Sequence, residues 1–239
     1  MVVESGKVDR IAGISSMAMR HVLGQLSDAY ARQSGQTVDI VSVGGVDAAR
    51  RVADGEAFDF VVLAADVIER LAAVGRVDPG SRTDLARSAV AIAVAAGATR
   101  PEISTESAIR DAVLRARSIG YSTGPSGAHL VHLLERWGIT DTIASRMVQA
   151  PPGIPVGTLL ARGDVDLAFQ QLSELMHVPG IDVIGLLPPE IQEETVFSAA
   201  VCTASNCPAA AKAWLSFLAS PQADEAKRRH GMEPARAGA

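Results

Sequence analysis

Short apolar runs alternate with segments whose apolar residues recur at helical spacing along almost the whole chain, and no other feature constrains the fold as much. Strand, helix, strand in succession predicts an α/β fold with largely parallel sheets, because parallel neighbours need a crossover helix to bring the chain back. The strand-like runs are 8–14, 37–42, 58–64, 89–95, 118–121, 165–170, 181–184 and 195–202. Helical segments fill the gaps at 17–32, 46–55, 66–74, 106–117 and 209–218, with a last helix from near Ser220. Of the 239 residues, 48% are hydrophobic, enough for one large core or two small ones. Runs 89–95 and 195–202 are more continuous than their neighbours and read as crossings between two lobes. Residues 1–86 with 200–239 then form lobe one and 87–199 lobe two, with a ligand cleft between them.

The most informative stretch is Tyr121-Ser-Thr-Gly-Pro-Ser-Gly127, where a strand end turns through small residues into an amphipathic helix running to Trp137. A helix start offers free backbone N–H groups and the positive end of the macrodipole. Ser122, Thr123 and Ser126 add hydroxyls, and Gly124 and Gly127 let an anion approach the backbone. Ser15 and Ser16 sit at a second strand-to-helix turn, where one of them is expected to cap the helix. Two such turns predict one shared anion pocket, which needs neither metal nor cofactor.

Several classes are excluded. A net charge of −5 argues against nucleic acid, and Lys227-Arg-Arg-His230 is too short to alter that, reading as a solvated helix end. No run reaches the length of a membrane span. The start, Met1-Val-Val-Glu-Ser-Gly-Lys-Val-Asp9, carries no export signal, which predicts a cytoplasmic protein, or a periplasmic one if a leader has been removed. Cys202 and Cys207 match no redox or zinc spacing; either one disulfide or two inert core thiols fits. There is no G-x-S-x-G elbow, Walker loop, G-x-G-x-x-G or H-E-x-x-H.

Residues 39–65, from Asp39-Ile-Val-Ser-Val-Gly-Gly45 onward, resemble the second strand, anion turn and third strand of type II periplasmic-binding-protein-like domains, in particular the molybdate-binding solute receptors. Residues 216–239, with Phe217-Leu-Ala-Ser-Pro-Gln-Ala223, resemble the closing helices of the same family. The resemblance implies a two-lobed fold with two interlobe crossovers. It places Ser16, Gly44 and Gly45 on one side of the cleft, and Ser126, Gly127, Gly153 and Gln170 or Gln171 on the other. The chain departs from the oxyanion receptors where Gly44-Gly45 replaces a serine donor and Gln170-Gln171 replaces a tyrosine, which points away from molybdate itself. A nearer likeness joins Pro125-Ser-Gly127, Gln149-Ala-Pro-Pro-Gly153, Phe169-Gln-Gln-Leu-Ser-Glu-Leu175 and Gly185-Leu-Leu-Pro-Pro-Glu-Ile-Gln192. It is to a substrate-binding branch associated with an isomerase of aconitate.

Two functions therefore stand on one architecture. As a receptor, the protein binds a small oxyanion or carboxylate, works as a monomer and, if exported, serves an ABC permease. As an isomerase of a small unsaturated tricarboxylate, it needs a base for allylic proton transfer. His129 is the first candidate, three residues past Ser126; Arg20 is placed to pair with a carboxylate and Tyr121 to move a proton. His132 reads as solvated, and Glu174 as a charge favoured by an early helix position.

Overall fold

The computed structural model describes residues 10–235, so the expected strand start at residues 8 and 9, the leaderless opening and the last four residues lie outside the described residues. The chain runs β1 (Arg10–Ser16), α1 (Arg20–Ser34), β2 (Thr37–Val43), α2 (Gly45–Ala53), β3 (Phe60–Ala64), α3 (Ala65–Ala73) and the long β4 (Thr83–Ala95). It continues through α4 (Glu106–Arg115), β5 (Ile119–Tyr121), α5 (Pro125–Arg136), α6 (Thr140–Ile143), β6 (Met147–Gln149), α7 (Val156–Arg162), β7 (Leu167–Gln171) and α8 (Leu172–Leu175). It closes with β8 (Ile181–Leu186), β9 (Glu194–Val201), α9 (Pro208–Ala219), α10 (Asp224–Arg229) and β10 (Glu233–Pro234).

The strands form one curled sheet in the order β2-β1-β3-β9-β4-β7-β5-β6, with β8 and β10 also on β4. Parallel pairing is confined to its two wings, β2-β1-β3 and β7-β5-β6. Around β4 and β9 every pairing is antiparallel, so the sheet is mixed rather than largely parallel. The reason is connectivity: β4 carries the chain from one wing to the other. Its residues Thr83 to Ala89 face β9 and its residues from Val90 on face β7 and β8. The second expected crossing differs in detail, because β9 pairs from Glu194 onward with β3 and the first part of β4. Segment 187–193 therefore makes the return passage.

Two glutamines pin these passages. Gln192 accepts from Val90 N–H at 2.9 Å and donates to Val90 O at 3.0 Å, imitating a neighbouring strand. Gln171, with its amide turned to satisfy both ends, donates to Ser88 O at 2.9 Å and accepts from the Thr195 hydroxyl at 2.8 Å.

Each wing is covered on both faces. Tyr30, Phe60 and fully buried Trp214 pack together between β1, α1 and α9, while Ile14, Val61 and Ile68 fill the opposite face. Ile92, Ile119, Leu130 and Phe169 form the main core of the other wing, with Val156, Leu160 and Leu175 behind. Each large apolar side chain buried in this way contributes roughly 1.5–3 kcal/mol. Elements too short to show a period, β6, β10, α6, α7 and α8, escape a reading by pattern.

Cys202 and Cys207 are free, buried thiols; burial first, and then the Asp59 carboxylate, pushes Cys202 up to about 12. Lys227 is not solvated: it is buried beside Asp224, Nζ to Oδ1 3.9 Å, because α10 packs against α1. Three histidines meet where α10, α1 and the end of α8 converge. His230 Nδ1 lies 2.9 Å from His177 Nε2, His230 Nε2 lies 2.9 Å from Gln25 Oε1, and the His21 ring lies tilted against His177 with centroids 4.2 Å apart. Burial lowers all three, and neighbouring positive charge, including Arg20 and Arg229, lowers His21 and His230 further. The folded state thus resists protonation: this contribution is present above the ordinary histidine value near pH 6.5 and is lost as pH falls through the depressed values. The thermal midpoint is expected to fall between pH 7.5 and pH 5, and His177→Gln to flatten that slope; equal slopes would remove the cluster as its cause.

Candidate functional site

The C-terminal ends of β1, β2, β5 and β7, from both wings, converge on one cavity. Strand ends in α/β sheets are where helix N-termini and irregular backbone gather, and so where ligands bind. The lining comprises Ser16, Met17, Ala18, Gly44, Gly45, Ser122, Thr123, Gly124, Pro125, Ser126, Ala150, Pro151, Gly153, Ile154, Gln170, Gln171, Glu174 and Phe197. Its volume is about 60 Å³, equal to roughly five water positions.

Local chemistry explains how each wall is made. Ser16 takes an extended conformation at the head of a short 3-10 turn, in the cap position, yet its side chain caps nothing. Its hydroxyl is buried with no hydrogen-bond partner. A native fold leaves few such groups, and one in a cavity wall is a donor that a water or a ligand can satisfy. Gly45 opens α2 with no side-chain cap, so that first turn also faces the cavity unblocked. Across the gap, the Ser122 and Ser126 hydroxyls lie 3.2 Å apart, and Gly124 N–H donates to Ser122 Oγ at 3.2 Å. Pro152-Gly153 forms a tight turn in which Ile154 N–H donates to Pro151 O; Gly153 has φ +77°, which favours glycine. A methyl on Gly44 would come within 3.6 Å of Gly153 N, so the two glycine turns nearly close one side.

The floor is polar and ordered. Val156 N–H donates to Gln170 Oε1 at 2.8 Å, which fixes the amide so that Gln170 Nε2 donates to Glu174 Oε2 at 2.7 Å. Glu174 is the one titratable side chain in the lining among the described residues. Burial raises its carboxyl to about 7, against the opposing effect of the Gln170 hydrogen bond. Among the described residues no lysine or arginine lines the cavity, so an anion there would be held by neutral donors and helix starts.

Most of the residues expected from sequence meet here: Ser16, Gly44, Gly45, Ser122, Thr123, Ser126, Gly153, Gln170 and Gln171. Others lie elsewhere. Ser15 is fully buried, its hydroxyl 2.9 Å from that of Ser42. Gly127 faces the Ser122 backbone, and its N–H donates to Gly124 O. His129 is tied to the return passage, Nε2 2.7 Å from Ile191 O and Nδ1 2.6 Å from Glu193 Oε2. Tyr121 packs on the core of its wing. Arg20 is exposed and lines an adjoining groove that shares Met17 and Gly153 with the cavity. His132 is exposed. Sequence reasoning undervalued Glu174, because Gln170 stands near the end of a strand and Glu174 sits in the helical turn after it, so no single periodicity pairs the two.

A family model described as bacterial extracellular solute-binding protein matches residues 11–233, nearly the whole chain. The protein belongs to that family. An aconitate isomerase from Pseudomonas sp. is 36% identical over 232 residues, covering 95% of this chain and 88% of the relative. The periplasmic molybdate-binding protein of Azotobacter vinelandii superposes with a TM-score of 0.78 at 21% identity, covering 93% of this chain and 98% of that one. The sulfate-binding protein SubI of Mycobacterium tuberculosis H37Rv gives 0.75 at 18%, covering 95% and 87%. These last two likenesses establish the solute-binding fold. Among the described residues of this family member, no helix is long and apolar enough to cross a membrane.

Proposed function

We propose that the cavity binds a small unsaturated tricarboxylate of the aconitate class and isomerises it by allylic proton transfer. The observation that carries the anionic occupant is the buried, unpartnered Ser16 hydroxyl in a wall of neutral donors. The whole-length relationship to an aconitate isomerase supports this ligand class and reaction. A cavity of this size takes the reacting end of such a molecule, and the adjoining groove bearing exposed Arg20 takes a further carboxylate. In this reading the lobes are 10–89 with 194–235 and 90–193, closing on the ligand about the glutamine-pinned passages. Incubation with trans-aconitate, followed by chromatographic separation of the isomers, tests it: cis-aconitate should accumulate to an equilibrium ratio approached from either side, and an unchanged sample rejects the activity.

A second reading, a receptor for a small oxyanion that delivers it to an ABC permease, is favoured by one observation: every lining group except Glu174 is a neutral donor or apolar. Calorimetric titration with molybdate, sulfate and trans-aconitate separates the two, since the receptor reading requires tight binding of a tetrahedral anion and no turnover.

A further inference from the structure

We propose that Glu174 is the catalytic residue of this cavity, its carboxylate taking a proton from the methylene carbon of the bound unsaturated acid and returning one to the far end of the allylic system. The inference rests on the isomerase reading above and adds to it the group that performs the chemistry. Geometry comes first. Glu174 lies in the lining, on the first turn after β7, where a reacting carbon held by the donors of Ser16 and Ser126 faces it across a cavity a few water positions wide. Its carboxyl is held in place, not merely present: the Val156 N–H orients the Gln170 amide, and that amide holds one carboxylate oxygen. A receptor for anions has no use for a carboxylate among its donors, because like charge weakens binding; a base for carbon acids needs one at this place.

The competing bases are engaged elsewhere. Both ring nitrogens of His129 are taken up by Ile191 O and Glu193, and His129 lines not the cavity but an adjoining groove that shares Ser16, Gly45, Thr123, Gly124, Pro125 and Phe197 with it. Tyr121 faces the core. The elevated carboxyl value, about 7, suits a group that must accept and then return a proton near neutrality.

The step balances within the ligand. The C–H bond at the methylene breaks, its electron pair shifts through the adjacent double bond to the conjugated carboxylate, and Glu174 becomes the neutral acid. The former methylene–carbon single bond takes on double-bond character in the conformation in which the cavity holds it, and that conformation sets the cis or trans configuration of the product. Glu174 then gives its proton to the former vinyl carbon, a new C–H bond forms, and the double bond re-forms at the other position. No oxidant, reductant or metal enters the balance.

The test uses three forms of the whole protein: wild type, Glu174→Gln and Gln170→Leu. Glu174→Gln keeps the shape and the Gln170 contact, so trans-aconitate binding measured by calorimetry should persist while turnover falls about a thousandfold, within the usual range for a lost general base. Gln170→Leu removes the hydrogen bond that favours the carboxylate, so the acidic limb of its kcat profile should move to higher pH, a shift that a structural role would not produce. Glu174→Gln turning over at the wild-type rate would overturn the assignment of Glu174 and leave the isomerase reading standing. Wild-type protein that binds trans-aconitate without converting it would overturn both.

Discussion

Gly127→Ala should destabilise the protein and cost it its ligand, although Gly127 touches no cavity. A Cβ at this position would lie 1.8 Å from Ser122 O and 2.8 Å from Ser122 C. These are backbone atoms that cannot swing aside, so the turn from Ser122 to Ser126 must move by an ångström or more. Overpacking of this kind costs about 1–3 kcal/mol or more, which in a chain of this size lowers the melting temperature by roughly 2–12 °C. A 1 Å displacement of positioning groups costs about a hundredfold in function, and affinity should fall on that scale. Gly24→Ala is the control for melting alone, since Gly24 sits inside α1 with nothing within 4 Å of its Cβ but lines the groove beside Arg20. There the same methyl should stabilise by about 0.5–1 kcal/mol, as replacing a mid-helix glycine does. Calorimetric melting of both variants and ligand titration of Gly127→Ala check this; unchanged melting for Gly127→Ala would contradict the close approach.

Ser16→Ala should move stability and binding in opposite directions. The hydroxyl is buried and unpartnered without ligand, so its removal relieves an unsatisfied group worth about 1–3 kcal/mol. The free protein should melt at a higher temperature. In the complex the same hydroxyl donates to an anion, a bond worth about 1.5–3 kcal/mol, so affinity should fall roughly tenfold to a hundredfold. A variant that is stabilised and binds as tightly as wild type would place the ligand elsewhere; one that loses both stability and binding would make Ser16 structural.

The turn at Tyr121 was legible because glycines and serines between a strand and a helix have few other uses, and Ser122, Thr123 and Ser126 do line the cavity. Composition could not separate Gly127 from Gly45: both stand at helix starts, but one packs on backbone and the other faces the ligand space. Ser15 and Ser16 are neighbours on one strand, and alternation sends their side chains to opposite faces, so only one of them can reach the cavity. His129 seemed well placed from its spacing past Ser126, yet its partners Ile191 and Glu193 are more than sixty residues away in sequence, and no local pattern reveals them. Glu174 shows the converse. As an early-helix acid it looks ordinary in sequence, and only the fold encloses it with Gln170 in a cavity free of cations. The antiparallel centre of the sheet was hidden for a similar reason, since a strand that crosses between wings carries the same apolar run as one that stays in its own.

Proton transfer within this cavity is read by proton NMR of the whole protein with trans-aconitate in deuterated water. Growth of the cis isomer is expected, with deuterium entering the methylene position to the extent that the proton on Glu174 exchanges with solvent before it is returned. Persistence of the starting isomer with its methylene protons intact, in folded protein that binds the acid, would contradict it.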